Sequence, residues 1–159
     1  LQRRGAIASR YLHELAGLEG VILPERGPDG HSWNQFVLRL PSCPGGVGRD
    51  CEGSCPASAD SATYELPESR CRDWRKQRLQ ESGVHTIIYY PIPIHRQPAY
   101  NQLGYGPGSL PITERLCSEV LSLPIYPELT AEQQDAVIAA LRRLMGRMAP
   151  EDIPATAVA

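Results

Sequence analysis

The sequence predicts an α+β domain, a small antiparallel or mixed sheet with helices on one face. Three observations predict it. Segments with helical spacing alternate with β-branched or alternating segments in the order helix, strand, helix, strand, loop, helix, strand, helix. The chain has 159 residues, 42% of them hydrophobic, enough to bury one core. Its 14 Gly and 15 Pro exceed the roughly 12% that these residues ordinarily supply together, so loops take an enlarged share.

The first helix is expected over Gln2 to Leu18, where Ile7, Tyr11, Leu15 and Leu18 fall at helical spacing with Leu12 beside them. Arg3, Arg4, Arg10 and Glu14 take the opposite face, Gly17 and Gly20 sit where the helix would end, and no residue caps its start. Glu25 to His31 forms a turn. Trp33 to Leu40 alternates well enough for a strand, with Trp33, Val37 or Phe36, and Leu38 contesting its buried face. From 42 to 70 the chain is dominated by Ser, Gly, Pro, Asp and Ala, which reads as an exposed, disordered insertion. Asp73 to Ser82 resumes as a helix, capped by Asp73, with Trp74 and Leu79 inward and Gly83 at its end.

Val84 to Tyr90 has the composition of a buried or half-buried strand, stopped by Pro91. Through Leu110 follows a long loop in which Pro93, Pro98 and Pro107 remove donors and Gly104, Gly106 and Gly108 permit turns. Thr113 is placed to cap a helix running through Leu116, Cys117, Val120 and Leu121. Leu123 to Tyr126 reads as a short edge strand broken by proline. Thr130 and Gln133 form a T-x-x-Q capping box, and Val137, Ile138, Leu141, Leu144, Met145 and Met148 give the last helix its apolar stripe. Arg142, Arg143 and Arg147 suit that helix's C-terminal dipole. One domain is expected over 1–150, with a flexible tail over 151–159.

The formal charge of −2 gives no general attraction to nucleic acid or to an anionic membrane, and no apolar run approaches the ~20 residues that cross a bilayer. Five Cys without an export signal suggest reduced thiols in a cytoplasmic protein. Cys51 and Cys55 form one close pair, but Cys43 and Cys71 are distant, so no metal site is expected; Cys117 reads as core. Neither a G-x-S-x-G elbow nor a phosphate-binding glycine loop is present, since Pro107 interrupts the GYGPG stretch. His13, His31 and His85 read as ordinary surface or strand residues. His95 differs, because it follows Pro93 in a loop fixed by prolines and aromatics and stands next to Arg96. The strand and loop are therefore expected to deliver Tyr89, Tyr90, His95 and Arg96 to a ligand.

The run GVHTIIYYPIPIHRQPAYNQLGYGPGSLPITERLCSEVLSLPIYPELTAEQQDAVIAAL, from Gly83 to Leu141, resembles the C-terminal portion of the DegT/DnrJ/EryC1/StrS family of sugar aminotransferases. RRGAIASRYLHELAGL and HSWNQFVLRL fit the same family's preceding segments. The resemblance implies the small domain of a dimeric fold-type I transferase that uses pyridoxal phosphate to move an amino group, commonly from glutamate, to a nucleotide-linked keto sugar. It implies that Tyr89, Tyr90 and His95 contact substrate, and that a missing large domain carries the cofactor; relatives often have His where this chain has Tyr89. Lys76 is the one lysine, on a polar helix face, so no catalytic residue and no cofactor binding are expected of this chain alone. Leu1 opens the sequence inside a helix, which suggests a piece of a longer protein, or alternatively a non-catalytic binding module. As a piece, it is expected to expose Ile7, Tyr11, Leu12 and the loop aromatics, which would have packed on the large domain.

Overall fold

The structure is a computed structural model that describes residues 1–27, 30–41 and 70–146. The expected insertion, apart from Arg70, and the tail lie outside the described residues, as do Arg147 and Met148.

Phe36, Val37, Leu38 and Arg39 form strand β1 (Phe36–Arg39), which pairs antiparallel with β2 (Val120–Leu123) in the register Phe36–Leu123 through Arg39–Val120. The sheet is therefore antiparallel. Single bridges extend it on both sides, Ile22 to Arg39 and Ile87 to Ser122. Because side chains alternate across a sheet, Phe36, Leu38, Leu121 and Leu123 all point into the core. Val37, Arg39, Val120 and Ser122 face the other way.

Among the described residues four α-helices accompany the sheet: α1 (Gln2–Glu14), α2 (Arg70–Glu81), α3 (Pro111–Glu119) and α4 (Ala131–Gly146). Ile7, Ala8, Tyr11 and Leu15 of the first helical segment, Leu79 of α2, and Val137, Ile138 and Leu141 of α4 join the strand residues in one core cluster. Each fully buried large apolar side chain there contributes about 1.5–3 kcal/mol. Polar contacts fix how α1 and α4 meet. Gln134 Nε2 donates to the Ile7 carbonyl at 2.8 Å, and Arg10 pairs with Asp135 at the rim. Tyr11 and Phe36 pack with ring centroids 5.0 Å apart, while the Tyr11 hydroxyl donates to the Pro124 carbonyl. Ile7 and Tyr11 are thus inside this domain, not on an exposed flank as the sequence suggested.

The T-x-x-Q box closes as expected: Thr130 N–H donates to Gln133 Oε1 at 3.1 Å and Gln133 N–H to Thr130 Oγ1 at 3.2 Å. Elsewhere the boundaries move. The strand expected from Trp33 begins only at Phe36, because Trp33 adopts a left-handed φ of 45°, which breaks extended backbone. Its N–H is satisfied by His31 Nδ1, and its ring lies between His31 and Phe36. The helix expected to run through Val120 and Leu121 stops at Glu119, and those residues begin β2. Leu110 precedes α3 and Thr113 lies inside it, so Thr113 caps nothing. The edge strand expected at 123–126 is replaced by β2, which lies between β1 and the Ile87 bridge.

A buried guanidinium ties α2 to the α3–β2 junction. Arg72, 2% exposed, donates to the Cys117 carbonyl at 3.0 Å, the Val120 carbonyl at 2.9 Å and Asp73 Oδ1 at 2.8 Å. Asp73 therefore serves Arg72, with Arg70 opening the helix. Arg72→Leu is expected to destabilise the chain by about 2–3 kcal/mol, the cost of stranding buried carbonyls. Urea unfolding measures it, and a change below about 0.5 kcal/mol would show that the junction holds without the guanidinium.

Candidate functional site

The sheet face turned away from the core carries two adjoining grooves. The larger, of about 350 Å³, is mostly apolar and is walled by Tyr89, Tyr90, Pro93 and Ile94 on one side and by Leu116 and Cys117 of α3 on the other. The smaller, of about 250 Å³, is more polar and includes Asn34, His85, Ser122 and Tyr126. Gln35, Ile87, Tyr89 and Ser122 line both. Tyr89 thus stands where they meet.

Local structure explains this placement. Ile87 exchanges both backbone hydrogen bonds with Ser122, at 3.1 and 2.9 Å, which seats the segment on the edge of β2. Its neighbours Val84 and Thr86 are buried. Beyond Ile87 the ladder ends, so the strand expected through Tyr90 shrinks to isolated bridges at Val84 and Ile87. Tyr89 and Tyr90 are left 47% and 62% exposed, with apolar faces available to a ligand and hydroxyls that hydrogen-bond either way. On the β1 side, the left-handed Trp33 immediately precedes Asn34 and Gln35 at the groove.

His95 is placed differently from the two tyrosines. It lines neither groove. The chain from Ile94 to Arg96 and from Pro98 to Leu103 forms two short 3₁₀ turns, where no regular structure was expected, and these bury His95 to 7% exposure. Its Nε2 meets Glu114 Oε1 at 3.0 Å, the Tyr105 ring approaches edge-on, and its Nδ1 is buried without a partner. Arg96 follows in the same turn.

Glu114, in the first turn of α3, gathers the loop. Besides His95 it accepts the Gly108 N–H on Oε2 at 2.9 Å and the Leu110 N–H on Oε1 at 3.2 Å. Gly104 and Gly108 have φ of 76° and 81°, the left-handed region that glycine enters freely. The residue escaped sequence reasoning, although the signal existed: a proline at the start of a helix followed by an acid in its first turn. Asn34 and Gln35 were also missed, hidden in what read as strand.

The Gly108 N–H, foremost, holds the Glu114 carboxyl below its ordinary range; burial opposes this, and His95 and the Leu110 N–H add to the lowering. The sign follows. A carboxylate whose pKa is lowered on folding contributes stability that is complete above its unfolded value, about 4.3, and is lost as the pH falls through its folded value. The Gly108 amide proton signal is therefore expected to titrate with a midpoint below that of an ordinary unfolded glutamate, and in Glu114→Gln not at all. A wild-type midpoint at or above that value would mean the carboxylate gains nothing from the loop.

Among the described residues no group of three or more His, Cys, Asp or Glu is placed to hold a metal, and no helix is long and apolar enough to cross a membrane. Cys71 and Cys117 are buried thiols. Cys43, Cys51 and Cys55 lie outside the described residues. A pyridoxal-type cofactor requires an amine to condense with and a donor-rich cup for its phosphate. Lys76, the only lysine, lies on α2 and lines neither groove. The residues of these grooves do not fit that cofactor.

Comparison with known proteins adds a consistent result. The sequence model of the DegT/DnrJ/EryC1/StrS aminotransferase family matches residues 58–142. The erythromycin biosynthesis sensory transduction protein EryC1 of Saccharopolyspora erythraea is 40% identical over 141 residues, 88% of this chain and 31% of that protein. A dTDP-3-amino-3,4,6-trideoxy-alpha-D-glucose transaminase of Micromonospora megalomicea is 48% identical over 148 residues, 89% of this chain and 32% of that protein. The crystal structure of S. venezuelae DesV in complex with a ketimine intermediate is similar with a TM-score of 0.69 and 33% identity, covering 93% of this chain and 32% of that one. The chain spans about 31% of the length of such relatives.

Proposed function

The chain belongs to the DegT/DnrJ/EryC1/StrS aminotransferase family, and from that premise we propose that it is the small C-terminal domain of a fold-type I nucleotide-sugar aminotransferase. In that reading a large domain carries pyridoxal phosphate, and the amino group passes from an amino acid such as glutamate to a keto sugar on a nucleotide. The cofactor, when bound there, supplies the carbonyl and electron sink for amino transfer. This chain supplies no catalytic group. It contributes a binding surface, inside a homodimer, and is inactive alone.

The observation that carries this reading is the pair Tyr89 and Tyr90, exposed along an apolar groove within the family-matched segment. Exposed aromatic faces suit the apolar face of a sugar ring or a base, and their hydroxyls suit its polar edge. His95 stands behind them and supports the loop that presents them. Other exposed apolar side chains of the loop, among them Tyr100, Leu103, Tyr105 and Leu110, suit contact with a larger protein surface.

The test joins this chain to a cofactor-binding domain and assays amino transfer from glutamate to a dTDP-linked keto sugar. Tyr90→Ala is expected to raise KM for the sugar nucleotide about tenfold while kcat stays within about twofold, the pattern of lost binding. Borohydride reduction of the 159-residue chain with pyridoxal phosphate should leave no stoichiometric adduct on Lys76. Such an adduct, or an unchanged KM, would sink the assignment.

A non-catalytic binding or regulatory module is the second reading, favoured by the similarity to EryC1, a sensory transduction protein. It predicts sugar-nucleotide binding without amino transfer in the joined protein.

A further inference from the structure

We propose that Glu114 is a positioning residue: with His95 it forms a staple behind the larger groove that sets the spacing between the groove's loop wall and its α3 wall, and hence the fit of a sugar nucleotide. The proposal rests on the reading of that groove as the substrate surface.

The staple is placed by chain connectivity. Pro93 and Ile94 line the groove and His95 is the next residue; Thr113 lines the opposite wall and Glu114 is the next residue. The 3.0 Å contact between His95 Nε2 and Glu114 Oε1 therefore joins the two walls one residue beyond the lining on each side. Both side chains are largely shielded, 6% and 14% exposed, where a hydrogen bond to an ionised group is stronger than at the surface. The same carboxylate also takes the Gly108 and Leu110 N–H groups, which pins the far end of the loop as it enters α3. Three loop donors thus converge on one acceptor in the helix.

The chemistry also fixes the imidazole. An ionised carboxylate only accepts, so neutral His95 must carry its proton on Nε2. Nδ1 is then a buried, unpartnered acceptor, and the hydrogen-bonding of the ring is spent wholly on Glu114. The contact therefore depends on the Nε2 position alone. Glutamine places an amide nitrogen where Nε2 stands, whereas asparagine reaches only as far as Nδ1. His95→Gln should preserve the staple and His95→Asn should lose it.

The test uses the 159-residue chain and three variants, Glu114→Gln, His95→Asn and His95→Gln, with amide exchange and side-chain NMR at one pH. Wherever the wild-type ring is neutral, the His95 nitrogen shifts should show the Nε2–H tautomer. Glu114→Gln and His95→Asn should speed exchange at Gly108 and Leu110 about tenfold or more and shift the Tyr89 and Tyr90 ring signals, and His95→Gln should restore both. The Gln and Asn variants compared with each other keep the answer clear should Glu114→Gln unfold. Equal behaviour of His95→Gln and His95→Asn, or unmoved tyrosine signals, overturns the staple. In the joined aminotransferase, Glu114→Gln should raise KM for the dTDP-linked keto sugar several-fold and change kcat less; an unchanged KM overturns the positioning role. Absence of amino transfer in wild type would instead strike the proposed function, while the NMR comparison still decides the staple.

Discussion

The register of β1 against β2 is the constraint on which the rest of the structure depends. With Phe36 opposite Leu123 and Leu38 opposite Leu121, every large apolar strand residue faces the helices, and Val37 and Ser122 are left to floor the groove. A slip of one residue would exchange the two faces, burying Arg39 and exposing Leu38. Several contacts hold the register at the β2 start. Arg39 reaches Glu119 at 2.6 and 2.8 Å, the Leu40 N–H donates to the Glu119 carbonyl, and Arg72 takes the carbonyls at the same junction. The α3–β2 turn is thus gripped from the strand side and from α2.

That arrangement separates stability from recognition. The core face is apolar and closed, with α1, α2 and α4 all contributing to one cluster. The outer face is bordered by α3, by the short bridged segment at Ile87 and by a loop folded in two 3₁₀ turns. Within the loop, turn hydrogen bonds such as Arg96 N–H to Pro93 and Gly104 N–H to Asn101 set the local shape, and Glu114 ties three of its groups to α3. Binding surfaces are commonly drawn from such segments, positioned by a rigid scaffold.

Much of the fold was legible in the sequence because its signals are local. The Thr130–Gln133 box, the apolar spacing of α1 and α4, and the odd composition around Pro91 to Leu110 each report on their own residues. What was not legible depends mostly on partners far along the chain, with the left-handed turn at Trp33 a local exception. Nothing within the stretch from Thr113 to Leu121 says that the helix must yield to a strand at Val120; the reason is β1, 80 residues away, together with Arg72. Trp33 looks like a strand residue and is turned by local satisfaction of its N–H on His31. For the site, the aromatics Tyr89 and Tyr90 were legible as exposed candidates, while His95 was not separable from them, since burial against Glu114 is a tertiary fact.

The preference for arginine over lysine acquires a physical reason in this setting. Arg72 satisfies two carbonyls and a carboxylate with one planar group, Arg75 reaches the Pro41 carbonyl, and Arg39 grips Glu119 through two nitrogens. An ammonium ion is a compact, strongly hydrated charge that costs more to bury and cannot present donors along a fork. A two-stranded sheet has few backbone contacts to hold it, and guanidinium groups that each bridge separate elements add polar ties between them. The same choice leaves a single primary side-chain amine, Lys76, outside both grooves. In the proposed enzyme the amine chemistry and the recognition surface would then be kept on different domains, and the geometry of Tyr89 and Tyr90 could vary with substrate without disturbing the reactive centre.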